Sequence, residues 1–332
     1  MDNNNDLENR VNNMISYYKN ILEQDSNNYK AMTDFGIFYT QLGRHIEAIE
    51  ILKKALTINN NDYSLYRLIG MSYIKIKNYH KAIIYLKKAY LLENNDYISL
   101  NWLGYCYIKI CRYEEAVKIL NKSFMIAPKE YINWRNLGLA LYHLNRIDEA
   151  IESFERVMEL NKYDYDSFYY LALCYKEKYD YKKAIEILKK IIEAENDNYQ
   201  AYFNAGLCFF MLDDFSNSLI YFDNALNIDD NDYLLYYYIG VSYYNIKDYI
   251  NAIEYLNNSI EKNNTHSSSY YYLGLSYYSA GLYDNAVNML EECAKLDESN
   301  REIYISLSSA YSALGDTENS IIAFNKYKVF KG

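Results

Sequence analysis

The sequence predicts an all-α protein built as an α-solenoid, a linear stack of helix pairs, and three observations carry that reading. Gly36, Gly70, Gly104, Gly138, Gly206, Gly240 and Gly274 fall on one series of step 34, with Ala172 in its gap. Large apolar residues keep the same step, as in Leu52, Leu86, Leu120, Phe154, Leu188, Phe222, Leu256, Leu290 and Phe324. The chain of 332 residues has one Pro and 11 Gly, too few turn formers for an all-β or loop-rich fold. A fixed period of this length marks a repeat architecture, so length counts repeats and not domains.

Each element follows from the register. With the glycine at position 8, repeats start at residues 29, 63, 97, 131, 165, 199, 233, 267 and 301. Positions 4, 7, 8 and 11 are spaced as one helical face, and positions 17, 20, 24 and 27 as a second. Every repeat is therefore a helix A followed by a helix B. Gly at position 8 and a small residue at position 20 let the two helices approach closely. Asn28, Asp62, Asp96, Asp164, Asn198, Asp232 and Asn300 precede helices A and suit their N-caps. Gly43, Gly281 and Gly315 sit in the A-to-B turn, where positive φ is expected. Pro128 lies between repeats, where it breaks no helix. Val11, Met14, Tyr18 and Ile21 continue the helix-B pattern backwards. They predict a lone capping helix, a half repeat, over residues 7–28, with residues 1–6 disordered. The last repeat ends on its helix B with Thr317 and Ser320 in weakened positions, either self-capping or open for assembly.

Leu137-Gly138-x-x-Leu141 and Asn145-Arg146-Ile147-Asp148-Glu149-Ala150, with Phe154 and Pro128 in phase, strongly resemble the tetratricopeptide repeat (TPR) family. The resemblance covers residues 29–332 and departs from the pattern locally, at Ala172, Ser218, Thr317 and Ser320. It implies one right-handed superhelix of about nine and a half repeats of 34 residues, with helices A lining a concave groove. A protein-interaction scaffold is then the expected function. A non-catalytic regulatory or targeting subunit and a self-assembling structural element are the alternatives.

Little in the sequence points to other chemistry. Cys106, Cys111, Cys174, Cys208 and Cys293 form no CxxC and read as small packing residues. His45, His80, His143 and His266 occupy different positions and form no metal-ligand pair. The glycines are claimed by the repeat, so no phosphate loop remains. No enzyme activity, metal or cofactor is expected. No run is long and apolar enough to span a membrane. Met1 to Arg10 is polar and acidic, so no signal peptide is visible and the expected location is cytoplasmic. The net charge of −10 speaks against nucleic acid. It is unevenly spread: residues 51–150 hold 15 Lys and Arg against 8 Asp and Glu, residues 201–300 only 3 against 14.

The expected partner is a peptide or protein segment in the helix-A groove. Positions 5, 9, 12 and 13 avoid the packing faces. In repeats 2–4 they offer Arg67, Lys75, Asn101, Lys109, Arg135 and His143, a polar to basic stretch. In repeats 5–8 they offer Tyr169, Phe203, Phe210, Tyr237, Tyr244, Tyr271 and Tyr278, an aromatic stretch. Tyr gives contact area and a polar tip at low entropy cost. Equally, such rows can simply pack on each other. The lysine and asparagine set with which some TPR proteins clamp a terminal carboxylate is missing, because Arg67 is followed by Met71 and then Trp102. Lys53-Lys54, Lys87-Lys88, Lys122, Arg156 and Lys189-Lys190 fall on the outer face of helices B. Self-association through the C-terminal end is a further possibility for the partner.

Overall fold

The structure, a computed structural model, describes residues 2–329, with side chains from residue 8 onward. The first helix is α1 (Asp2–Gln24). Helices A are α2 (Tyr29–Gln41), α4 (Tyr63–Lys75), α6 (Tyr97–Lys109), α8 (Tyr131–His143), α10 (Tyr165–Glu177), α12 (Tyr199–Met211), α14 (Tyr233–Asn245), α16 (Ser267–Ser279) and α18 (Arg301–Ala313). Helices B are α3 (His45–Ile58), α5 (Tyr79–Leu92), α7 (Tyr113–Ile126), α9 (Ile147–Leu160), α11 (Tyr181–Ala194), α13 (Phe215–Ile228), α15 (Tyr249–Lys262), α17 (Tyr283–Leu296) and α19 (Thr317–Val329). The chain divides within α10 into two compact units, residues 1–174 and 175–332. In each unit a helix A packs on its own helix B, and that helix B on the next helix A. Neighbouring helices A also touch, as in α4, α6 and α8 of the first unit and α12, α14 and α16 of the second. Each unit is thus an α-solenoid with one face formed by helices A.

The repeat register explains the packing. A Cβ built on Gly206 would lie 2.5 Å from the Phe222 ring, and one on Gly138 2.8 Å from Phe154. Position 8 is empty because position 24 fills it. Asn28 accepts from the Ala31 amide at 2.9 Å and Asp232 from the Leu234 amide at 2.9 Å, so both cap their helices A. Helices B have caps of their own in Asn78, Asp180, Asp214 and Asp248. The A-to-B turn has φ of 74° at Gly43, 78° at Gly281 and 79° at Gly315. Lys77, Cys111, Asn145, Tyr179, Asp213 and Lys247 occupy the same turn, also with positive φ.

Part of the outer basic charge is spent between repeats. Lys53 Nζ donates to the Tyr73 hydroxyl at 2.9 Å and lies 5.5 Å from its ring centroid. Lys87 stands over Tyr107 at 5.6 Å and Lys189 over Phe209 at 5.8 Å. Each joins position 25 of one repeat to position 11 of the next. Such cation–π contacts contribute about 0.5–1 kcal/mol each at exposed sites. Near the acidic end the geometry inverts: the Tyr311 hydroxyl donates to Glu291 Oε1 at 2.5 Å.

Three expectations need correction. Residues 2–6 are helical and extend α1 to Asp2; Met1 lies outside the described residues. Cys111 is not a packing residue: it is exposed in a turn, while Cys106, Cys174, Cys208 and Cys293 are buried. Burial pushes the Cys106 and Cys293 thiols up to about 12 and Cys208 up to about 11, so all three stay protonated and unreactive. Phe324 is 38% exposed although its position-24 counterparts are buried, because no helix follows α19 among the described residues.

Candidate functional site

In the first unit the helix-A face carries a groove of about 840 Å³ that crosses α4, α6, α8 and the start of α10. Its middle is aromatic and amide. Trp102 meets Tyr105 edge-on at 5.7 Å, and Tyr170 also lines the groove. Below them Asn101 Nδ2 donates to Asn133 Oδ1 at 2.6 Å, and Asn136 donates to the Asn101 side-chain oxygen. Asn101, Asn133 and Asn136 are all buried, so this network fixes two neighbouring repeats, through α6 and α8, in one register.

The sequence-chosen residues of this unit separate by role. Lys75, Asn101, Lys109 and Arg135 line the groove; Arg67, His143 and Tyr169 lie outside its lining. Lys109 Nζ rests 5.3 Å from the Tyr105 ring centroid. Arg67 Nη1 donates to Asp96 at 2.9 Å, and Arg135 reaches Asp164 at 3.6 Å and Asp166 at 3.0 Å. Position-5 arginines therefore hold the cap carboxylate of the next helix A. In other repeats the position-1 hydroxyl takes that place, as Tyr199 does on Asp232 at 2.8 Å. His143 stacks on Tyr113 at 4.7 Å. Burial, then the nearby Lys109, lowers its pKa from 6.5, so the ring is neutral at pH 7.

In the second unit the aromatic rows touch one another. Phe203 stacks on Tyr199 at 5.8 Å, and both Phe203 and Phe210 meet Tyr238, at 6.1 and 5.3 Å. Tyr237 and Tyr244 both meet Tyr272, at 6.0 and 5.7 Å, and Tyr271 meets it at 5.6 Å. Burial raises the Tyr237 pKa. Tyr278 is the most open of the set at 36% exposure and leans on Tyr283 at 5.5 Å.

Sequence reasoning missed position 6, which carries Trp102, Asn136, Tyr170, Tyr238 and Tyr272. The signal was available: position 6 lies three residues from position 9 and seven from position 13, on the same helix face. It missed Tyr105 and Glu130 of the groove wall as well.

This geometry defines a helical-hairpin repeat protein with a groove across the helices A of its first unit. The chain belongs to the tetratricopeptide repeat family. Tetratricopeptide repeat models match residues 29–62, 63–96 and 97–130, and another matches 271–331. A model described as anaphase-promoting complex, cyclosome, subunit 3 matches 143–225 and 211–293. Among curated proteins no sequence match is found. Solved structures share the fold. The C-terminal part of a TPR protein from Cytophaga hutchinsonii has a TM-score of 0.61 at 17% identity, over 72% of this chain and 98% of that one. YrrB, described as a TPR protein with an unusual peptide-binding site, gives 0.51 at 19%, over 55% of this chain and 95% of that one. A chain of the APC/C hetero-tetramer Cut9–Hcn1 gives 0.50 at 18%, over 89% of this chain and 58% of that one. No helix among the described residues is long and apolar enough to cross a membrane. Among those residues no cluster of His, Cys, Asp or Glu could hold a metal ion.

Proposed function

We propose that the protein is an interaction scaffold that binds an extended peptide segment of a partner in the groove over α4, α6, α8 and the start of α10. The observation that carries this reading is the groove itself: about 840 Å³, walled by Trp102, Tyr105 and Tyr170, with lysines at one edge. Its volume lies within the range of ligand sites, and aromatic anchors of this kind dominate binding energy. The aromatic rows of the second unit are read as scaffold, since their rings already satisfy one another. The peptide-binding TPR neighbour supports a groove of this class.

The test is a random-peptide display panned on the full chain, with affinities of selected peptides read by fluorescence anisotropy. Trp102→Ala with Tyr105→Ala weakens binding by about tenfold or more. Tyr237→Ala with Tyr271→Ala lowers the melting temperature but keeps the affinity. The reverse pattern, in folded protein by circular dichroism, places the site in the second unit and overturns the reading.

A further inference from the structure

The groove of the first unit has edges of opposite charge. Lys75 and Lys109 stand in the last turns of α4 and α6, and Lys77 follows α4 in its turn. Glu130 directly precedes α8, and Asp166 lies in the first turn of α10. Acid at helix starts and base at helix ends is the arrangement that helix dipoles favour, so each edge keeps its sign. From position 2 to position 13 of a helix A is eleven residues, about 16 Å along the axis.

The acidic edge has unused acceptor capacity. Glu130 stands where most other helices A have an Asp or Asn cap, yet its carboxylate does not cap α8. Ser167 lines the groove, is 1% exposed, and its Oγ has no hydrogen-bond partner. Its counterpart Ser99 donates to Asp96 at 2.5 Å. Asp164 is 7% exposed and its Oδ2 lacks a hydrogen bond, with Arg135 no nearer than 3.6 Å. Asp164 and Asp166 share one guanidinium, Arg135, and Glu130 lines the same groove, so carboxylates outnumber guanidinium at this edge. A buried hydroxyl left without a partner, as at Ser167, is costly unless a ligand group completes it.

Lys75, Lys77 and Lys109 lie at α4 and α6, and Glu130 and Asp166 at α8 and α10, so a peptide running across the four helices meets base at one end and acid at the other. Resting on the groove reading above, we propose that the preferred ligand is an extended segment with its acidic side chains grouped toward one end and its basic side chains toward the other. Its Asp or Glu side chains meet Lys75 and Lys109, and its Lys or Arg side chains meet Glu130, Asp166 and the Ser167 hydroxyl.

The experiment uses two fluorescein-labelled peptides of one composition, five Lys-Glu pairs in alternation and a block of five Lys followed by five Glu, titrated against the full chain. The block peptide binds about tenfold tighter, a difference of about 1.4 kcal/mol. Glu130→Gln with Asp166→Asn, and separately Lys75→Gln with Lys109→Gln, each reduce that preference to less than about threefold while the melting temperature holds. Equal binding of both peptides, or binding of neither, overturns the proposal. Peptides selected by display separate the two readings. If Trp102→Ala with Tyr105→Ala weakens their binding, only the charge pattern falls; if that variant binds them unchanged, the groove reading falls with it.

Discussion

Six residues other than glycine take positive φ in the A-to-B turns, and Lys247 at 67° is the furthest into that region. The left-handed conformation costs an L-residue roughly 1–2 kcal/mol, least for Asn. Glycine removes the strain but loses more chain entropy on folding. Lys247→Gly is therefore expected to stabilise the second unit by about 0.5–1 kcal/mol. Asn145→Gly, in the equivalent turn, gains less. A drop in melting temperature for Lys247→Gly contradicts this account of the turn. The turn was only partly legible in the sequence. Three repeats mark it with Gly43, Gly281 and Gly315, whereas Lys77 or Tyr179 carries no local signal of φ. Caps such as Asn28 and Asp232 were legible, because side chain and amide lie within the same turn.

At the scale of elements, close packing of helix A on helix B depends on position 8. Gly206→Ala places a methyl 2.5 Å from the Phe222 ring, which is fully buried and has no room to retreat. A destabilisation of about 1–3 kcal/mol is expected, read as a lower urea midpoint. An unchanged midpoint means α12 and α13 are looser than described. Departures from the repeat pattern have local partners: Ser218 Oγ meets Ser242 Oγ at 3.0 Å, and Ser320 Oγ meets Ser308 Oγ at 3.1 Å. Helix pairs were legible because their core is periodic and local. The inter-repeat contacts were not. Nothing in a single repeat says that Arg135 will hold Asp164 and Asp166, or that Lys53 will sit on Tyr73. Part of the basic charge, on Arg67, Arg135 and Lys53, is thus used inside the scaffold.

At the scale of the whole molecule, the same repeat serves two purposes under the proposed function. In the second unit the aromatic positions meet one another, and that tyrosine-rich face is read as scaffold. In the first unit Trp102, Tyr105 and Tyr170 wall an open groove whose lysines belong to the basic part of the chain. The fold class and the repeat period could be read directly from the glycine series. The site could be read only in part: Lys75, Asn101, Lys109 and Arg135 lie in it, but of its aromatic wall Trp102 and Tyr170 stand at position 6, outside the chosen positions, and Tyr105 stands at position 9. The central claim is that partner binding takes place on the first unit. Hydrogen–deuterium exchange of the full chain, with and without a saturating display-selected peptide, measures this directly. The account predicts slowed exchange in α6 and α8 with α14 and α16 unchanged. Protection of α14 and α16 with α6 and α8 unaffected contradicts it.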